Sequence, residues 1–184
     1  MPMWRVHRHI GMGGDQFVDA VAGEGVEERL GDSLREASSR EFAPLRDECE
    51  PLEGAAELVR ELKRRGLVVV LASSAGQDDL EYFVDRLGIR ADVDGWTTKD
   101  DVERSKPHPD VIHAALELAG TTDGVMVGDS RWDIEAAANA GLETVCVITG
   151  GWSEQELRGF GASAVYESLV ELRVGLDETP LRGR

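Results

Sequence analysis

The chain has 184 residues, 41% of them hydrophobic and 30% charged. That suits one domain, or one domain with a small insert, whose core needs no disulfide or metal staple. Asp and Glu number 36 against 20 Lys and Arg, a formal net charge of −16, which argues against a nucleic-acid binder because phosphate contact needs a basic face. No stretch approaches the ~18 apolar residues of a membrane span, and the opening MPMWRVHRHIGMGG has no hydrophobic signal core, so a cytoplasmic protein is expected. Cys49 and Cys146 lie far apart in no metal or redox spacing; both are expected as free thiols, Cys146 in a buried strand.

Residues 1–50 read as helical. The glycine-rich turn Gly11-Met12-Gly13-Gly14 precedes a short helix starting near Asp15. From Val26 to Cys49 a charge-rich stretch sets Val26, Leu30 and Leu34 four apart, with Phe42 and Leu45 continuing the face. That is the pattern of an amphipathic helix or helix pair. From Pro51 onward the pattern alternates. A helix opened by Pro51 turns Ala55, Leu58, Val59 and Leu62 inward and stops at Gly66. The unbroken apolar run Leu67 to Ala72 suits a strand buried on both faces of a parallel sheet. Further helices are predicted from about Gln77 to Leu87, from Pro107 and Pro109 through Ala119, from Asp129 through Ala140, and around Glu154 to Arg158. Strands are predicted at Gly95 to Thr98, Gly124 to Val127, Glu143 to Ile148 and Ala164 to Tyr166. Such alternation implies right-handed crossovers and an α/β parallel sheet with helices on both faces. Reacting groups then sit just beyond the carboxyl ends of the strands. The expected division is a partial helical cap, residues 1–50, and an α/β core, residues 51–184.

Three strand ends or loops are chemically marked. Val68-Val69-Val70-Leu71-Ala72 ends in Ser73-Ser74; Ser105-Lys106-Pro107 precedes a helix; Val125-Met126-Val127 ends in Gly128-Asp129-Ser130-Arg131-Trp132-Asp133. Each has an ordinary structural explanation. A serine after a strand caps turns, a lysine before proline is commonly a solvated charge, and Asp129 is a good helix N-cap with Asp133 in the positive first turn. As a set they say more. A hydroxyl can donate to a phosphoryl oxygen, an ammonium can offset phosphate charge, and two aspartates four apart can present hard oxygens to Mg²⁺.

This order of segments resembles the haloacid dehalogenase (HAD) superfamily of phosphohydrolases, over nearly the whole chain. Ser73 in VVVLASS matches the Ser or Thr of its second motif, Lys106 in SKPHPD the lysine of its third, and Asp129 with Asp133 in VGDSRWD its acidic fourth. The helical start resembles the small cap of the phosphoglycolate phosphatase and beta-phosphoglucomutase branch. The resemblance implies a HAD-like Rossmannoid fold and a Mg²⁺-dependent phosphomonoester phosphatase. Ser73, Ser74 and Lys106 would hold the phosphoryl group, with Ser73 and Lys106 catalytic, and Asp129 and Asp133 would position the metal. Gly11, Met12, Gly13 and Gly14 lie where those proteins carry a cap loop that helps select a small phosphorylated metabolite.

The family's first motif, DxDxT, does not occur in these residues. Its first Asp is the nucleophile that becomes an aspartyl-phosphate. Asp92 and Asp94 in ADVDGWT superficially imitate it, but they lie between Ser73 and Lys106, after a poor strand. Asp15 follows glycines rather than a buried strand. The simplest account is a nucleophile motif, with its strand, ahead of Met1. In the family that strand is central, so its absence predicts open apolar edges, marginal stability and self-association. The expected chain is therefore inactive as it stands. A non-catalytic HAD-like protein binding phosphate or a partner, a phosphosugar mutase, and a chain with no function of its own are the alternatives.

Overall fold

After residue 69 the short apolar runs fold as parallel strands, and the charged amphipathic segments before them fold as helices alone. The computed structural model describes residues 1–182. The elements run α1 (Met3–His7), α2 (Gly14–Ala22), α3 (Val26–Phe42), α4 (Ala55–Arg64), β1 (Val70–Ala72), α5 (Gln77–Leu87), β2 (Gly95–Thr97), α6 (Asp110–Ala119), β3 (Val125–Gly128), α7 (Arg131–Asn139), β4 (Glu143–Val147), α8 (Glu154–Phe160), β5 (Ala164–Tyr166) and α9 (Leu169–Val174). Before β1 there is no strand, only an isolated bridge between Ile10 and Met12.

Several element boundaries differ from the sequence reading. Pro51 does not open a helix; a turn closed by the Ala55 amide on the Leu52 carbonyl intervenes, and α4 begins at Ala55. The apolar run Leu67 to Ala72 contributes only its last three residues to the ladder, and Val68 is 55% exposed. The helix after β3 is capped by Ser130, not Asp129. The amphipathic stretch to Cys49 ends its α-helix at Phe42, and Pro44 continues it as a tighter 3₁₀ turn, Ala43–Glu48. The short helices α1 and α9 carry no clear signal in the sequence. The last starts where the Ser168 hydroxyl accepts from the Glu171 amide.

The parallel α/β architecture has helices on both faces. Its strands form a pair, β1–β2, and a triplet in the order β3–β4–β5, all parallel. Among the described residues, β1 and β3 share no ladder with each other. Burial follows this division. Val145, Cys146 and Val147 of the central strand β4 are buried, whereas every residue of β1 and β3 stays half-buried. Helices hold the halves together. Leu58 and Leu62 of α4 share one apolar cluster with Val69, just before β1, and with Val125 and Val127 of β3. On the opposite face, Val111 and Ile112 of α6 pack with Ala72 of β1 and Met126 of β3.

Cys146 shows how dry the interior of β4 is. It is fully buried, and burial, reinforced by the Asp133 and Asp129 carboxylates, pushes its thiol up to about 12. Both cysteines are free, and Cys49 is half-buried. Because the thiolate is the reactive form, a thiol reagent at mildly alkaline pH is expected to modify Cys49 first and Cys146 only on unfolding. Rapid modification of both in the native protein would contradict this.

Candidate functional site

Strand β3 delivers its chain into a tight turn and then into α7, and the turn is locked by a reciprocal cap. The Ser130 hydroxyl accepts from the Asp133 amide (3.4 Å), while the Asp133 carboxylate accepts from the Ser130 amide (3.1 Å) and hydroxyl (2.7 Å). The Asp129 amide also donates to Asp133 Oδ2, at 3.2 Å. All three of these donors converge on one oxygen. The other, Oδ1, takes the Lys106 ammonium at 2.8 Å. Lys106 is 8% exposed and Asp133 6%. Burial would raise the Asp133 carboxyl, but the Lys106 charge and hydrogen bond, with those from Ser130 and Asp129, hold it below the usual carboxylate range.

Lys106 also donates to the carbonyl of Ala72, at 3.3 Å. One ammonium therefore joins the end of β1 to the start of α7, across the line where the two sheets do not pair. Beyond Ala72 the chain turns. The Ser73 hydroxyl accepts from the Ala75 amide (3.0 Å), and the Ser73 amide donates to the Thr97 hydroxyl of β2 (3.2 Å). The Ser74 hydroxyl oxygen is buried and has no hydrogen-bond partner among the described residues. Asp129 accepts from the Thr149 hydroxyl at 2.8 Å through Oδ2, and its Oδ1 accepts from no other residue described. Burial raises the Asp129 carboxyl, Thr149 opposes this, and the Asp133 charge adds to the rise.

The structure thus brings Lys106 and Asp133 into direct contact, with Asp129 beside them and Ser73 and Ser74 following Ala72. The turn Gly11 to Gly14 comes to the same end of the molecule, where Gly11 lies against Ser130 and Trp132, and Gly13 against Ser105.

Asp129 fits one ligand position of a hard divalent cation, since it offers a free carboxylate oxygen. Both Asp133 oxygens already accept from protein donors, Oδ2 from Ser130 and Asp129 and Oδ1 from Lys106, so Asp133 also holds Lys106 and starts α7. Among the described residues no group of three or more His, Cys, Asp or Glu side chains could hold a metal ion. Mg²⁺ demands near-ideal octahedral oxygen ligation, so these residues supply part of a site and no reaction step is derived through the metal.

Four contributing residues escaped the sequence reading. Ser130 was legible, because Ser-x-x-Asp is a capping signature. Thr97, Thr149 and Ser105 carried no such signal. Each is an ordinary hydroxyl residue whose partner lies far along the chain, and only the fold joins them.

The placement of Ser73 and Asp129 beyond the ends of the parallel strands β1 and β3, with the Lys106 ammonium between them, bears on family. A profile of haloacid dehalogenase-like hydrolases matches residues 4–141. The chain belongs to the haloacid dehalogenase-like hydrolase family. A hydrolase from Pseudomonas syringae superposes with a TM-score of 0.89 at 31% identity, covering 97% of this chain and 83% of that one. A beta-phosphoglucomutase-like protein from Bacteroides vulgatus shares the HAD-like fold, with a TM-score of 0.81 at 20% identity over 96% of this chain and 74% of that one. Pyrophosphatase PpaX of Bacillus cereus (strain B4264) is 38% identical over 100 residues, which are 53% of this chain and 46% of that protein. This HAD-like chain spans about half the length of the curated relatives it matches.

Proposed function

We propose that these residues form the phosphoryl-binding side of a HAD-family phosphatase that hydrolyses a small phosphorylated metabolite. The observation that carries this reading is the Lys106 ammonium, buried at the carboxyl end of β1 and fixed between the Ala72 carbonyl and Asp133. A buried lysine held by carboxylate and carbonyl at a strand end has a defined geometry for phosphoryl oxygens. In this reading Ser73 and Ser74 donate to the phosphoryl group and Lys106 offsets its charge. Asp129 is the ligand this chain contributes to Mg²⁺, and Asp133 orients Lys106. The name of the pyrophosphatase relative is consistent with a phosphoryl substrate.

Charge supports the metal. Lys106 faces Asp129 and Asp133, so the site holds one cation against two carboxylates, within a chain of net charge −16. A phosphate dianion needs further positive charge there, which bound Mg²⁺ would supply. The nucleophile is provided from outside these 184 residues, since no DxDxT is present. That β1 and β3 share no ladder among the described residues supports a reading in which such a strand pairs with both. The helical start, residues 1–50, serves as the cap that covers the substrate.

The test is hydrolysis of p-nitrophenyl phosphate with Mg²⁺. The native gene product is expected to turn it over and to lose that activity on Lys106→Ala, while the 184 residues alone show none above blank. Turnover by these residues, abolished by Asp129→Ala, would place a nucleophile within them and overturn the assignment. The missing motif also favours a second reading, a non-catalytic phosphate binder. Saturable phosphate binding by the native product without turnover would establish it.

A further inference from the structure

We propose that Asp15 is a positioning residue for Lys106, clasping the helical unit onto the loop that carries the lysine. This deepens the phosphoryl-site reading and takes its functional meaning from it. Asp15 lies in the first turn of α2. Its carboxylate accepts from the Ser105 amide at 3.1 Å and from the Ser105 hydroxyl, a link across 90 positions of sequence. Ser105 is itself buried and immediately precedes Lys106. Burial would raise the Asp15 carboxyl, yet the Ser105 and Gln16 hydrogen bonds hold it below its ordinary value, so the bonds to Ser105 are charge-assisted.

The glycine turn before Asp15 is shaped for the same contact. At Gly13 an added Cβ would collide with the Ser105 side chain. At Gly11, where φ is +103°, a Cβ would stand 2.7 Å from the Ser130 hydroxyl, the group that donates to Asp133. The turn therefore touches the supports of both members of the Lys106–Asp133 pair. Beside it, the Trp132 indole donates to the Arg8 carbonyl at 3.2 Å, and the Arg8 guanidinium pairs with Glu156 at 2.9 Å. These contacts assign Gly11 and Gly13 to close approach of backbone to core. On this proposal Asp15 ties the placement of the helical unit to that of the lysine.

The chain has only three lysines, Lys63, Lys99 and Lys106, so amine acetylation followed by peptide mass mapping reads each one separately. With Asp15→Ala, the Lys106 acetylation rate is expected to rise about tenfold, the scale for losing a charge-assisted hydrogen-bonded support, with Lys63 and Lys99 unchanged. Asp15→Asn keeps an acceptor of the same shape and is expected to restore part of the protection. An unchanged Lys106 rate in Asp15→Ala overturns the proposal. If all three lysines accelerate, the variant has unfolded and Ser105→Ala decides, because it deletes one hydroxyl and leaves the backbone. A rise confined to Lys106 then supports the clasp, and no rise overturns it. Neither result depends on catalysis, so the clasp can fail while the phosphatase reading stands, and the reverse.

Discussion

Asp133→Ala is expected to destabilise the protein by about 3–5 kcal/mol, the range for breaking a buried ion pair by removing one partner. The substitution strands the Lys106 ammonium, which is only 8% exposed. It also removes the acceptor of the Ser130 and Asp129 amides at the start of α7. Urea unfolding monitored by circular dichroism measures the change directly. A loss below about 1 kcal/mol, the scale of an exposed pair, would mean that Lys106 swings out to water and that the pair is not a fixed element. The double variant Lys106→Met with Asp133→Leu should recover the part of the loss due to the orphaned charge, while the Ser130 and Asp129 amides stay without their acceptor.

The pH dependence has a defined sign. The Asp133 carboxyl titrates below its ordinary value in the folded protein. Its contribution is therefore fully present above the ordinary Asp value and is lost as pH falls through the folded one. Asp129 works the other way. Its folded value is raised, first by burial, so the native state keeps a proton that the unfolded chain releases. Stability then declines as pH rises from the ordinary value through the raised one. Asp133→Ala should flatten the acid limb of the stability profile, and Asp129→Asn should remove the decline above it.

The second large effect is kinetic. On the phosphatase reading, Lys106→Ala in the native product is expected to lower kcat/KM for p-nitrophenyl phosphate by about 10²–10³, or about 2.7–4 kcal/mol, as for loss of a preorganised electrostatic group. Lys106→Arg should not restore the rate. A planar guanidinium fork cannot place one nitrogen on both the Ala72 carbonyl and Asp133 Oδ1 as a compact ammonium does. Assays belong well below the melting temperature of each variant, since both substitutions disturb Asp133. A rate within threefold of wild type for Lys106→Ala would remove the lysine from the mechanism.

Much of this molecule was legible from local signals. Helix α5 was placed at its observed bounds because Gly88 stops it, and β5 likewise because apolar residues stand between turn residues. The motif residues Ser73, Lys106, Asp129 and Asp133 were recognisable as a set because their order along the chain survives without geometry. What could not be read was the use of each oxygen. Two aspartates four apart look equivalent in sequence. Only the fold shows that the first keeps a free oxygen while the second spends both on Lys106 and the α7 cap. Strand length was overestimated at Leu67 to Ala72 for a related reason: apolarity marks what is buried, not what is hydrogen-bonded. The contact between Asp15 and Ser105 joins two polar residues with no periodic pattern, and nothing local announces it.

The interruption between β1 and β3 bears on how the molecule breathes. In a continuous sheet the ladder itself ties every strand to its neighbour, so the strands open together. Here the pair β1–β2 and the triplet β3–β4–β5 are tied by side chains of α4, α6 and Lys106 rather than by backbone bonds. Cooperative units in proteins follow such seams. In these 184 residues the amides of β4, paired on both sides, are expected to exchange more slowly than those of β1, which is paired on one side. Lys106 is thus also a rivet between the two sheets of these 184 residues, one ammonium bonded to a carbonyl of the first and a carboxylate at the edge of the second.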